Sequence, residues 1–142
     1  MNKIKSKLKY YSCIIFPIFT IFLCKYLNDH IDYFQKNNFF NLDNTKIVTL
    51  ISVSATFIGA LLTILTIYLA VPKNPQRVAQ FKKTHHERIY LSNIVVGLLI
   101  YLLSIICWIF FDNTVLSSIL FIGGLSNIIV SIYYTFESIK YM

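Results

Sequence analysis

Four long uncharged stretches, at residues 10–24, 47–71, 89–111 and 113–136, are separated by short charged segments. The last three each exceed the roughly 20 apolar residues that carry a helix across a bilayer core. The first reaches that length if Lys25 turns its ammonium outward and Tyr26 and Leu27 complete the span. In hydrocarbon every backbone amide must be satisfied within the segment, which leaves a helix as the simplest solution for runs of this length. The expected fold is all-α, a polytopic transmembrane four-helix bundle. It forms one integral membrane domain over residues 1–142, with spans near 9–27, 47–71, 89–111 and 113–136.

The remaining segments are too short to bury a core of their own. A content of 56% hydrophobic and 16% aromatic residues agrees with helices packed in lipid. The net charge of +7 would suggest nucleic acid only if it formed one basic face. Its basic residues instead cluster at the ends of spans, so no direct nucleic-acid partner is expected. The partner they imply is the lipid bilayer.

Counting Lys and Arg on alternate sides sets the orientation. With the N-terminus in the cytosol, Lys3, Lys5, Lys7, Lys9, Lys73, Arg77, Lys82, Lys83, Arg88 and Lys140 lie inside, against Lys25, Lys36 and Lys46 outside. Ten against three is a strong positive-inside bias, and it predicts both termini in the cytosol of a multi-pass inner-membrane protein. The first stretch lacks a small-x-small cleavage pattern and is read as a retained span. Tyr10, Tyr11, Tyr26, Tyr68, Tyr90, Trp108, Tyr133 and Tyr134 fall near span ends, where amphipathic rings settle among headgroups. Cys13, Cys24 and Cys107 show no metal spacing and read as buried thiols, although a Cys24–Cys107 bridge is geometrically conceivable.

Several local signals refine this plan. Residues 1–9 read as a basic tail, and Pro17 predicts a kink in the first span. Residues 28–45 mix Asp29, His30 and Asp32 with Tyr33, Phe34, Phe39 and Phe40, which suits a segment lying on the outer membrane surface. Pro72 and Pro75 break the chain after the second span, and Asn74 offers a cap for a helix restarting at Pro75. Asp112-Asn113 predicts a tight outer turn, so the last two spans form an antiparallel hairpin.

The second span carries the clearest internal pattern. Thr45, Thr49, Ser52, Thr56, Gly59, Thr63, Thr66 and Ala70 recur at alternating spacings of four and three, which draws one stripe down a helix face. Leu50, Phe57, Leu61, Ile64 and Leu65 occupy the opposite face and suit lipid. Small residues let helices approach, and hydroxyls bond across the interface. Ser52, Thr56, Gly59, Thr63 and Thr66 are therefore expected either to pack against another helix or to line a conduit in a homo-oligomer. Asn93, Gly97, Ser104 and Cys107 repeat the pattern less regularly in the third span, and Gly123, Gly124, Asn127 and Ser131 in the fourth. Asn127 lies near mid-membrane, where an unpaired amide is expensive, so it must face another helix or water.

No Asp, Glu, His, Lys or Arg lies deep in any span, which removes the groups that proton relays and intramembrane proteases need. His85-His86-Glu87 points its side chains about 100° apart on a helix, unlike a metal-binding pair. No catalytic residue, cofactor or metal is expected, and the chain is not read as an enzyme.

Phe57-Ile58-Gly59-Ala60-Leu61-Leu62-Thr63, followed by the Pro-containing basic connection and Phe81-Lys82-Lys83-Thr84, resembles small four-span bacterial membrane effectors and accessory proteins of anti-phage systems. The resemblance covers residues 47–111 and carries no functional residue with it. It implies a membrane-acting component paired with a cytosolic sensor protein, whose signal would arrive at the basic connection formed by Lys73, Arg77, Lys82, Lys83 and Arg88. The expected function is altered membrane permeability by an oligomer. The alternatives are a bacteriocin-immunity or superinfection-exclusion protein, with residues 28–45 as its contact site, and an accessory subunit of a larger membrane complex.

Overall fold

The computed structural model describes residues 2–70 and 86–139, and these contain helices and turns but no strand. The basic connection Lys73, Arg77, Lys82 and Lys83, the Asn74–Pro75 cap, His85 and Lys140 lie outside the described residues. So do the side chains of residues 2–10, Cys13, His86 and Glu87.

Among the described residues five helices follow in order: α1 (Asn2–His30), α2 (Asp32–Lys36), α3 (Asn44–Ala70), α4 (His86–Phe111) and α5 (Thr114–Ile139). Three of them, α3, α4 and α5, are long and apolar enough to cross a membrane. The basic N-terminal segment is not a separate tail, because α1 is helical from Asn2 onward and runs through Pro17. Residues 28–45 are divided among three elements and are mostly exposed. α1 extends to His30, and only α2 and a turn separate it from α3.

The α4–α5 hairpin forms as the sequence indicates. Asp112 takes the left-handed conformation at φ 48°, and the Asn113 side chain accepts the Leu116 amide proton at 2.9 Å. Asn113 thus caps α5, satisfying one of the amides a helix start leaves free. At the start of α3, Asp43 plays the same part by accepting the Lys46 amide at 2.9 Å.

α4 and α5 share the most extensive interface; α1 packs chiefly on α5 and α3 chiefly on α4. Two clusters hold them. Leu61, Ile89, Tyr90, Ile94, Tyr101 and Tyr134 join α3, α4 and α5. Cys24, Phe40 and Ile119, with Phe34 and Val115, join α1 and the turn after α2 to the start of α5. Tyr90 and Tyr134 are therefore core residues rather than members of an interfacial belt, whereas Tyr11, Tyr26 and Tyr133 are exposed. Cys24 and Cys107 are free and buried.

The distribution of polarity is inverted relative to a protein packed for water. Asn93, Ser104, Ser117, Asn127 and Ser131 are buried, while Phe22, Leu99, Leu103, Ile109, Phe110 and Phe136 are exposed. Together with three helices long and apolar enough to cross a membrane, this is compatible with a multi-pass membrane protein.

Candidate functional site: a polar helix seam and an outward hydroxyl stripe

Small and polar residues of α4 meet those of α5 along the seam between them. Near its middle, the Asn127 amide donates to the backbone oxygen of Asn93 at 3.1 Å and to its side-chain oxygen at 3.0 Å. The Asn93 amide in turn donates to the Ser131 hydroxyl. Asn127 is 0% exposed, and α4 supplies the two oxygens that accept from its amide. This network lies on the face that Asn93, Gly97, Tyr101 and Ser104 share on α4.

Glycines permit the approach. A methyl group at Gly97 would collide with the Asn127 side-chain oxygen, and one at Gly124 would collide with the Tyr101 ring. Each glycine is thus the hole into which the other helix's large polar residue fits. Gly123, beside Gly124, faces α1, where a methyl group would strike Ile21 and come within 3.6 Å of the Pro17 carbonyl oxygen.

Toward the Asp112–Asn113 turn, Ser104 and Ser117 bond reciprocally. The Ser104 hydroxyl donates to the Ser117 carbonyl at 2.8 Å, and the Ser117 hydroxyl to the Ser104 carbonyl at 2.9 Å. Both residues are fully buried. Beyond them, the Thr114 hydroxyl donates to the Asn41 side-chain oxygen at 2.7 Å and ties the loop before α3 to the start of α5.

The stripe on α3 has a different position. Ser52, Thr56, Gly59, Thr63 and Thr66 are all exposed, and nothing approaches the place where a Gly59 side chain would begin. The Ser52, Thr56, Thr63 and Thr66 hydroxyls each donate to the carbonyl four residues earlier, at 2.9–3.0 Å. Such back-bonding satisfies the donor inside the helix and leaves acceptor lone pairs facing outward. Most of the face expected to meet lipid is turned inward instead: Leu61 is 3% exposed, and Phe57 and Leu65 pack on the core beside it, while Ile64 stays exposed at 37%. Ser54, which lies off the stripe, is buried.

The structure thus joins Asn127 to the α4–α5 seam and leaves the five α3 residues together on an open surface. Arg88, the described member of the basic connection, is exposed near the start of α4. Tyr101, Ser117, Asn41 and Thr114 were not singled out by pattern. Tyr101 stands four residues after Gly97 and eight after Asn93, so extending the polar face of α4 by one turn would have reached it.

Comparison with protein-family models, curated proteins and solved structures finds no match for this chain.

Proposed function

We propose that this chain is a four-span inner-membrane protein with cytosolic termini that self-assembles through the outer face of α3 and alters membrane permeability. The observation that supports this most directly is the outward position of Ser52, Thr56, Gly59, Thr63 and Thr66. The chain's own packing uses the other side of α3, so the stripe remains free for a second copy. A single chain tolerates it in lipid because each hydroxyl proton is already bonded. Several copies bringing their stripes together would surround a path lined with hydroxyl oxygens, a surface that water and ions can wet.

In this reading α1 is the fourth span. Its 29 residues extend about 43 Å at the ordinary helical rise, more than a bilayer core requires. The resemblance of residues 47–111 to anti-phage membrane effectors extends the proposal to a defence role. A cytosolic sensor would then signal through Lys73, Arg77, Lys82, Lys83 and Arg88.

A second reading has its own observation. Tyr33 and Phe39 are 67% and 57% exposed on the segment between α1 and α3, a surface suited to contact with an external toxin or phage component. One experiment separates the two. In phage-challenged cells carrying the chain and its neighbouring genes, a potential-sensitive dye should report depolarisation. Replacing Ser52, Thr56, Thr63 and Thr66 by Val should reduce that response with membrane insertion unchanged. Protection without any dye response in the wild type would remove the permeability reading and favour the immunity one.

A further inference from the structure

Two polar atoms in the core have no hydrogen-bond partner among the described residues: the Tyr101 hydroxyl and the Asn127 side-chain oxygen. Tyr101 and Asn127 are both 0% exposed, so leaving either atom unpaired carries a full desolvation penalty. Their placement is reciprocal. Tyr101 covers Gly124, which lies three residues before Asn127, and Asn127 covers Gly97, which lies four residues before Tyr101. The two side chains therefore start about one helical turn apart, roughly 6 Å along the axis.

Their directions close that gap. Side chains on a helix lean toward its N-terminus. In an antiparallel pair, Tyr101 leans toward the level of Gly97, where the Asn127 oxygen already lies while its amide turns to Asn93, so the two polar tips converge. One water with two hydrogen bonds of about 2.8 Å spans up to roughly 5.6 Å between its partners.

We propose that Tyr101 and Asn127 hold one shared water molecule at mid-membrane, donating to the Asn127 oxygen and bonded to the Tyr101 hydroxyl. Water has the chemistry both atoms lack, since the carbonyl oxygen needs a donor and the phenol takes either role. A bare cation is disfavoured because two neutral oxygens and no carboxylate cannot offset its dehydration. Phe57 and Phe121 flank the Tyr101 ring, and Leu61 reaches the Gly97 side of the junction, so apolar groups from α3 and α5 close the site.

The sign of one substitution tests this. A hydroxyl bonded to water is lost at a cost, whereas removing one with no partner relieves a penalty. Reversible unfolding of the full chain in mixed micelles should show Tyr101→Phe lowering the folding equilibrium constant about three- to tenfold. In a double-mutant cycle, Tyr101→Phe and Asn127→Leu should be non-additive by about threefold or more. Water cross-relaxation should reach the Tyr101 ring protons beside the hydroxyl in the wild type. An unchanged or raised constant for Tyr101→Phe, additivity of the pair, or absence of that cross-relaxation would each overturn the proposal. Equal stability in sodium, potassium and choline chloride is expected, and stabilisation by one metal ion would replace the water with a cation.

Discussion

The side-chain oxygen of Asn127 fills the space where a β-carbon on Gly97 would stand, so that position has no room for a side chain. The pair sets how closely α4 and α5 approach, and the hydrogen bonds from Asn127 to Asn93 depend on that approach. Gly97→Ala should destabilise the fold by about 1–3 kcal/mol through overpacking. Gly59→Ala, facing open space, should be neutral or should stabilise by up to about 1 kcal/mol through helix propensity. Denaturant titration in micelles reads both, and equal effects at the two glycines would refute the Gly97–Asn127 contact.

The reciprocal Ser104–Ser117 bonds set the register of the hairpin. Their hydroxyl oxygens lie 3.1 Å apart, close enough for the corresponding sulfurs to bond. In a background without native cysteines, Ser104→Cys with Ser117→Cys should crosslink readily under mild oxidation. Ser104→Cys with Ser118→Cys should not, because the Ser118 hydroxyl turns back to the Thr114 carbonyl of its own helix. Efficient crosslinking of the second pair would place α4 and α5 in a different register.

The proposed assembly through the hydroxyl stripe of α3 can be tested apart from folding. Gly59→Leu should leave monomer stability within about 0.5 kcal/mol, as expected for a substitution on an open face. The same change should dissociate oligomers that pack through the stripe, read by light scattering or crosslinking in detergent. Oligomers that persist with both Gly59→Leu and Thr63→Leu would exclude this face as the contact.

The bond from Thr114 to Asn41 links the loop before α3 to the hairpin. Thr114→Val keeps the shape and removes the donor. Amide exchange over residues 37–42 should then quicken several-fold, with exchange in the middle of α4 and α5 unchanged. Unaltered exchange would mean that Phe34 and Phe40, packed with Cys24 and Ile119, hold the loop by themselves.

Topology follows from labelling in intact cells. In a cysteine-free background, Asn38→Cys should react with a membrane-impermeant maleimide, while Arg88→Cys should react only after permeabilisation. Both positions are exposed in the structure, so burial would not mask either one. The reverse pattern would invert the orientation, and labelling of both would change the span count.

Helix identity was legible before any tertiary contact was known, because runs the length of α3, α4 and α5 have one way to satisfy their backbones in hydrocarbon. The turn at Asp112-Asn113 was equally legible, since a capping Asn between two apolar runs has a local mechanism. The polar face of α4 and Asn127, midway along an apolar helix, could be read as requiring a partner, and the Asn127 amide finds it in Asn93.

Which face of α3 turns inward was decided only by tertiary structure. In water the hydrophobic effect would have chosen, but lipid accepts a leucine face and a back-bonded hydroxyl face nearly alike. Periodicity marked both faces, while the choice depended on the shape offered by α4 and α5, where Leu61 and Phe57 fit beside Tyr101 and Gly97. The Tyr101–Gly124 and Asn127–Gly97 pairings depended on that same shape. Each joins residues more than 20 positions apart, and only the register of two assembled helices brings them together.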